Sequence, residues 1–275
     1  MFFALEPGSD PGQHLRSLRE LADGDQIVVG LGQSLTVVLG CKIQGLKNFP
    51  HDPGSGFDVP STPAALWLWL RGDDRGQLVQ LSRLVERMAS PAFHLVQVID
   101  AFRHGTGLDL TGYEDGTENP KGEAAIEASS VRGRGPGLDG SSFVAVQQWV
   151  HDFDKFNSMT TGEQDNSIGR RKSDNKELED APPAAHVKRT AQESFDPAAF
   201  VLRRSMPWAD QQRAGLVFVS FGKSFDAFEA QLNRMEGVED GISDALFKFT
   251  RPVSGSYFWC PPLKNERLDL SALNL

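Results

Sequence analysis

Cysteine is scarce in this chain, and so are long hydrophobic runs and any excess of positive charge. Cys41 and Cys260 are the only cysteines in 275 residues, too few for a disulfide framework and without the spacing of a metal-binding CxxC motif. No apolar run approaches the roughly 18–20 residues of a membrane-spanning helix. Lys and Arg number 28 against 37 Asp and Glu, giving a net charge of −9. These shortages argue against a disulfide scaffold, an integral membrane protein and a nucleic-acid-binding protein.

The residues that are abundant are typical of a soluble globular protein. Hydrophobic residues make up 39% of the chain and charged residues 24%. The N-terminal segment MFFALEPGSDPGQ has no basic start and reaches an acid and a proline within seven residues, unlike a signal peptide. We therefore expect a cytoplasmic protein that has neither a membrane nor a nucleic acid as a partner.

The hydrophobic pattern of the first half predicts the order β-α-β-β-α-β. Short apolar runs indicate strands, and leucines recurring at helical spacing indicate helices. The predicted strands are residues 2–5, 27–29, 65–70 and 93–102, and the predicted helices are residues 14–21 and 75–90. A Gly- and Pro-rich loop is predicted for residues 47–63. This order is that of a ferredoxin-like unit.

The second half repeats the same order. Its predicted strands are residues 141–150, 200–206, 214–222 and 245–249, and its predicted helices are residues 152–159 and 224–235, with Asp152 and Ser224 as N-caps. A glycine-rich segment at residues 131–140 is the predicted linker. We therefore expect an α+β protein with two ferredoxin-like domains built on antiparallel sheets, residues 1–135 and 136–275.

A long polar insert, residues 160–197, interrupts the second half and contains His186. Connections of this length inside a compact domain are usually functional or disordered, and the segment HVKRT after a proline pair favours function. A lone histidine is most often a surface or core residue. Here the small residues of APPAA leave room beside the ring, and Lys188 and Arg189 could meet the acidic groups of a planar cofactor. With no second His or Cys nearby for zinc, a single imidazole suits haem better.

Two other segments could supply an acid and a cation to the same site. Asp115 lies in GYEDGTENP, where it could be a turn residue or a carboxylate held for chemistry. Arg203 and Arg204 are adjacent on a predicted strand, so their side chains point to opposite faces and one could be buried. An acid, an arginine and an iron-bound imidazole together suit cleavage of a peroxide O–O bond. Because a free aspartate has a pKa near ~3.9, this set predicts an acidic optimum.

Three motifs in order resemble the dye-decolourising peroxidase family, in particular its bacterial cytoplasmic class B. They are the GxxDG pattern in GYEDGTENP, the segment HVKRT, and VLRRSMPW. The resemblance spans the chain and implies two ferredoxin-like domains with one haem b in the C-terminal half. It implies that Asp115 is the distal aspartate, that His186 is the proximal iron ligand, and that Arg203 is the distal arginine.

The resemblance also implies roles for three further residues. Ser205 corresponds to a polar position near the distal pocket, and Asp244 to the carboxylate that hydrogen-bonds the proximal imidazole. Arg170 lies in an IGR segment that approaches a haem propionate in similar proteins. Asp244 could instead be a simple cap, and Arg170 or its neighbour Arg171 could be solvated.

Three functions are consistent with these observations. The first is a haem peroxidase that reduces hydrogen peroxide and oxidises bulky aromatic donors in one-electron steps, with a tryptophan or tyrosine as a possible electron relay. The second is a haem-handling protein for storage, transfer or iron release, which would need His186 but neither Asp115 nor Arg203. The third is an interaction module without haem. Exposed sheet edges favour a homo-oligomer, and we identify no appended peptide for packaging into a protein shell.

Overall fold

A ten-stranded antiparallel sheet runs through the chain in the computed structural model, which describes residues 1–50 and 56–275. The first four strands are β1 (Phe2–Leu5), β2 (Ile27–Leu31), β3 (Leu66–Leu70) and β4 (Phe93–Gln97), and the first three helices are α1 (Pro11–Arg19), α2 (Gln33–Val38) and α3 (Arg75–Ala89). The strands lie in the order β4-β1-β3-β2. Leu15 and Leu18 of α1 and Val85 of α3 pack on one face of this sheet. The predicted ferredoxin-like unit is therefore present, with α2 added between its second and third strands.

The second half contributes the other six strands. They are β5 (Ser142–His151), β6 (Leu202–Arg203), β7 (Met206–Ala209), β8 (Ala214–Gly222), β9 (Thr250–Pro252) and β10 (Ser256–Cys260). The helices are α4 (Glu123–Ser129), α5 (Phe153–Ser158), α6 (Thr161–Ile168), α7 (His186–Arg189) and α8 (Asp226–Met235). The order β10-β5-β8-β6, with β7 also paired to β8, repeats the strand order of the first half. The prediction of an α+β chain with a tandem ferredoxin-like fold is confirmed.

The two four-stranded units join edge to edge. Trp259 of β10 pairs with Leu31 of β2, so one sheet continues from the first half into the second. The side chain of Trp259 is completely buried at this junction. The division into residues 1–135 and 136–275 stays a prediction.

Two local predictions in the second half are wrong. Residues Ala245–Lys248 form a 3₁₀ turn instead of a strand, because the Asp244 carboxylate accepts the Leu246 N–H at 2.8 Å and starts a turn there. The last strand of the unit is β10. Helix α8 begins at Asp226 with Phe225 as its N-cap, one residue after the predicted cap Ser224, whose hydroxyl still accepts the Asp226 N–H at 3.3 Å.

The sheet has two differently covered faces. Alternation along β5 directs Ala145, Gln147 and Trp149 to the face covered by helices and loops, and Val144 and Val146 to the opposite face. On that opposite face, side chains from both halves of the chain form a second apolar cluster that includes Phe2, Trp67, Val219 and Phe258. The segment after β4 pairs with β7 through Ala101 and Trp208, so the ends of the sheet approach each other around this cluster.

The predicted Gly- and Pro-rich loop is described only in part, since residues 51–55 lie outside the described residues. Across the described ranges, 1–50 and 56–275, no helix is long and apolar enough to cross a membrane. The predicted insert 160–197 contains α6, α7 and a 3₁₀ turn at Gln192–Ser194. The insert is therefore an ordered structure that carries His186 at the start of α7.

Candidate active site

A cavity between the helix-covered face of the sheet and the segments packed on it brings together three predicted site residues. Asp115, His186 and Arg203 line this cavity, although they come from a loop, a helix and a strand far apart in the chain. Phe218 of β8 and Phe228 and Leu232 of α8 provide apolar walls. We call this space the first cavity.

His186 is held by a buried carboxylate. Its Nδ1 lies 2.7 Å from Oδ2 of Asp244, whose side chain is completely buried. The other oxygen of Asp244 accepts the Leu246 N–H, so the carboxylate is fixed from both sides. Because an ionised carboxylate is only an acceptor, Nδ1 carries the hydrogen and Nε2 keeps its lone pair. The imidazole is thereby prepared to donate that lone pair to a metal.

Gly169 sets the position of the helix that begins with His186. It ends α6 in the left-handed region at φ 93°, which favours glycine. A Cβ at this position would lie 2.2 Å from Cγ2 of Val187 and 3.2 Å from Cβ of Ala185. The close approach of α6 to α7 therefore requires glycine here.

Arg203 is anchored through its backbone to the loop that carries Asp115. Asn119 accepts the Arg203 N–H at 2.8 Å and donates to the Arg203 carbonyl at 2.9 Å. The side chain lines the first cavity, and its Nε is buried without a hydrogen-bond partner among the described residues. A guanidinium stays charged in such surroundings, so this group is suited to an anionic or polarised ligand.

Asp115 lies where the first cavity meets a smaller one. The smaller cavity has a volume of about 40 Å³ and is also lined by His104, Leu108 and Ser205. That volume holds a few water-sized molecules. The Ser205 hydroxyl accepts the Val219 N–H at 3.4 Å, and Ser205 does not line the first cavity. Asp115 is thus in reach of a small molecule on one side and of the larger cavity on the other.

A buried histidine and aspartate that sequence reasoning missed fix the loop of Asp115. His151 Nε2 lies 3.0 Å from Asp109 Oδ2, and His151 Nδ1 lies 2.7 Å from the hydroxyl of Thr250. That hydroxyl donates to the Val150 carbonyl, so it accepts from Nδ1. Both ring nitrogens therefore face hydrogen-bonding partners, and the ring is held in one orientation. We call His151, Asp109 and Thr250 the loop clamp.

The electrostatics of the loop clamp favour an ionised aspartate. Burial alone would raise the pKa of Asp109, but the hydrogen bond and positive charge of His151 and two hydrogen bonds from Thr111 lower that pKa below its ordinary value. The strand alternation that places Gln147 and Trp149 in the first cavity also places His151 there. This alternation could have identified His151 as a site residue from the sequence.

The arginines Arg170 and Arg189 of the insert form ion pairs outside the first cavity. The Arg170 guanidinium pairs with Glu118 and Glu177 and donates to the Asn175 carbonyl, and it does not line the first cavity. Arg189 forms a bidentate ion pair with Asp240 at 2.7 and 2.8 Å. The predicted contact of Arg170 with an acidic cofactor group stays a prediction.

The tyrosines and tryptophans are mostly buried. Tyr113 donates its hydroxyl to Asp165 at 2.5 Å, and Tyr257 donates to Glu229 at 3.0 Å. In both cases burial, together with the adjacent carboxylate, raises the pKa of the phenol. Among the five tryptophans, only Trp69 is partly exposed.

The first cavity fits a haem group chemically. It offers one imidazole with a free Nε2, apolar walls, and two buried nitrogens without partners among the described residues, Arg203 Nε and Gln147 Nε2. Within the described part of the chain, no group of three or more His, Cys, Asp or Glu side chains could hold a metal ion by itself. A single imidazole in an apolar slot is typical of haem ligation.

Comparison with known proteins gives consistent similarities. Residues 106–265 match the family model for the C-terminal part of Dyp-type peroxidases. A dye-decolorizing peroxidase of Rhodococcus erythropolis is 31% identical over 248 residues, which cover 87% of this chain and 73% of that protein. One of Mycolicibacterium paratuberculosis is 28% identical, and the match covers 78% of this chain and 63% of that protein.

Solved structures are similar over nearly the whole chain. A putative Dyp-type peroxidase from Shewanella oneidensis is 28% identical with a TM-score of 0.87, covering 99% of this chain and 92% of that one. A variant of DypB from Rhodococcus jostii RHA1, in complex with heme, is 25% identical with a TM-score of 0.84, covering 95% and 92%.

Proposed function

This chain belongs to the Dyp-type peroxidase family, a family of haem peroxidases, and on that premise we propose that it uses haem b to reduce hydrogen peroxide and to oxidise bulky aromatic donors. The donors are oxidised in one-electron steps with an acidic optimum. The observation that carries the proposal is the meeting of Asp115, Arg203 and His186 in one cavity, with Asp244 behind His186.

On one side of the cavity, His186 would hold the iron. Bound haem would supply the iron and the porphyrin electrons needed to break the peroxide O–O bond. Asp244 takes the hydrogen bond from Nδ1, which orients the ring and makes the imidazole a stronger electron donor. The same hydrogen bond keeps the ligand from rotating.

On the other side, Asp115 and Arg203 would act on the peroxide. Asp115 takes the proton from one peroxide oxygen and returns it to the departing oxygen, which leaves as water. Arg203, always protonated, stabilises the negative charge that develops on that oxygen. Two donors then lose one electron each, and with two protons they complete the reduction of one peroxide to two waters. A proton shuttle works best near its own pKa, about 3.9 for a free aspartate, hence the acidic optimum.

Substitution of the distal residues tests this assignment. In the haem-reconstituted protein we expect Asp115→Ala to slow the reaction with hydrogen peroxide by ~10²–10⁴-fold. For Arg203→Ala we expect a loss of ~10²–10³-fold. Both variants should keep their Soret band, whereas His186→Ala should lose haem on gel filtration. The measurement is stopped-flow absorption after mixing with one equivalent of peroxide.

Arg204→Ala is the matched control, because Arg204 is adjacent to Arg203 but faces away from the first cavity. It should react with peroxide at the wild-type rate. If both distal variants also react at that rate, the catalytic roles are wrong. A wild-type protein that binds haem but ignores peroxide would favour haem handling instead.

We also infer that the protein acts in the cytoplasm as a homo-oligomer. Strand β4 lies at one end of the sheet, and Val96 on it is 62% exposed. An exposed apolar residue on an edge strand favours pairing with another copy. Sedimentation velocity of the purified chain tests the oligomer, and a single monomer species would contradict it.

A further inference from the structure

A second cavity lies on the face of the sheet opposite the first cavity. Strand β8 separates them: Leu216 and Phe218 line the first cavity, and Val217 and Val219 line the second. The alternation of side chains along a strand explains this arrangement. The second cavity has a volume of about 400 Å³. That size is within the range of about 300–1,000 Å³ of small-molecule sites.

The apolar part of the second cavity contains a platform for a flat ring. Trp69, the one partly exposed tryptophan, lines it, and the buried Trp67 stacks beside Trp69 with ring centroids 6.1 Å apart. The Arg71 guanidinium lies 5.0 Å from the centroid of the Trp69 ring. Because this guanidinium lies over the face of the indole, the two flat groups together form the surface on which a planar aromatic group can stack.

The charge of the second cavity favours an anion, although the chain as a whole is acidic. Four arginines and two aspartates line it: Arg71, Arg75, Arg103, Arg204, Asp73 and Asp100. Arg71 pairs with Asp25, and Arg75 pairs with Asp100. Arg103 and Arg204 are both exposed and form no ion pair with any residue in the described ranges, although Arg204 donates one N–H to the Arg203 carbonyl at 3.1 Å. Two guanidinium groups are therefore available to a sulfonate or a carboxylate.

We propose that the second cavity binds a planar aromatic molecule that carries an anionic group. Its ring stacks against the Trp69 indole and the Arg71 guanidinium that lies over it, and its anionic group meets Arg103 and Arg204. Binding itself does not depend on haem or peroxide. Only the role of the bound molecule rests on the proposed function. In that role the bound molecule is a donor that loses one electron to the peroxide-oxidised enzyme, and the electron crosses a single sheet layer. Two such donors, with two protons, reduce one peroxide to two waters.

Equilibrium dialysis with anthraquinone-2-sulfonate tests the binding site. This probe is planar, carries one sulfonate and resists one-electron oxidation. We use the haem-reconstituted chain, so that haem fills the first cavity, and repeat the measurement without haem. We expect one saturable site per chain in both forms, with affinity that falls as salt rises. Arg204→Ala and Arg103→Ala should each weaken binding by about tenfold, as expected for loss of a charged hydrogen bond.

Two controls make the result specific. Arg213→Ala removes another exposed arginine that lies over a tryptophan, Trp208, but does not line the second cavity, and it should keep wild-type affinity. The uncharged 2-(hydroxymethyl)anthraquinone should bind more weakly than the sulfonate and should not respond to Arg204→Ala.

Three results would overturn the proposal. One is no saturable binding in either form, and another is equal weakening by Arg213→Ala and Arg204→Ala. The third is loss of binding as the protein concentration rises, which would indicate that a second copy of the chain covers the cavity. If the chain fails to bind haem but still binds the probe as expected, the peroxidase proposal fails and the binding site stands.

Discussion

Asp109 shows how a single buried carboxylate can keep the active-site loop in place under acidic conditions. Its pKa is lowered in the folded protein, so the ionised form stabilises the fold at every pH above its ordinary value of 3.8. That contribution disappears as the pH falls through the lowered pKa. The loop clamp therefore stays charged in the acidic range where Asp115 is proposed to work.

Asp109→Asn is expected to destabilise the protein in a pH-dependent way. Breaking a buried ion pair costs about 3 kcal/mol, so the free energy of unfolding at pH 7 should fall by that amount. As the pH falls through the lowered pKa of Asp109, the wild-type carboxyl is also protonated, and the two proteins should become similar. Urea unfolding over a pH series from 7 downward measures the difference. Asp174→Asn, which breaks an exposed ion pair with Arg171, should change the free energy of unfolding little. If Asp109→Asn lowers that free energy equally at every pH, the Asp109 carboxylate does not stabilise the fold through its charge.

The sequence could indicate the candidate site residues but not the contacts that hold them. Asp115, His186 and Arg203 stand in recognisable motifs, and the structure brings them to one cavity. The contacts of His151 with Asp109 and of Asn119 with Arg203 join residues 42 and 84 positions apart. No local spacing encodes such pairs, because they depend on how strands and loops pack in three dimensions.

At the scale of elements, the close approach of α6 to α7 depends on the glycine at position 169. Gly169→Ala introduces a Cβ at positive φ and 2.2 Å from Val187. We expect it to destabilise the protein by roughly 1–3 kcal/mol and to weaken haem retention, because α7 carries His186. Thermal unfolding and the Soret band after gel filtration are the two measurements.

Gly162→Ala in the same helix α6 is the matched control. No atom lies within 4 Å of the added Cβ, and the position is helical. This substitution should stabilise the protein slightly, by roughly 0.4–1 kcal/mol. Equal effects of the two substitutions would show that the contact with α7 is unimportant.

The strands were predicted correctly where the hydrophobic pattern was clear. The prediction failed where that pattern was weak or where a capping side chain started a turn. Strand β5 alternates between the two faces of the sheet, strand β8 is a long and mostly apolar run, and both were predicted from the sequence. Strand β10, the segment SYFWC, is buried at all five positions, so it lacks the alternation that marks a half-buried strand. The apolar residues at 245–249 look like a strand, but the capping carboxylate of Asp244 turns the chain there.

At the scale of the whole molecule, the continuous sheet predicts cooperative unfolding. Because β10 pairs with both β2 and β5, neither half can unfold without exposing the edge of the other. We expect one calorimetric transition with equal calorimetric and van't Hoff enthalpies. Trp259→Ala at the junction should lower that single transition, with a cost of about 3–5 kcal/mol. Two separate transitions would show instead that residues 1–135 and 136–275 unfold independently.

The burial of both tyrosines and of most tryptophans has a consequence for durability. If donors lose one electron at a time, as proposed for this chain, the enzyme is exposed to the radicals that form, and tyrosines at a surface can couple one molecule to another. Both tyrosines here are buried, as are four of the five tryptophans and Cys260. The described surface therefore offers no phenol for dityrosine cross-links. Such a chain should survive many turnovers before it inactivates itself.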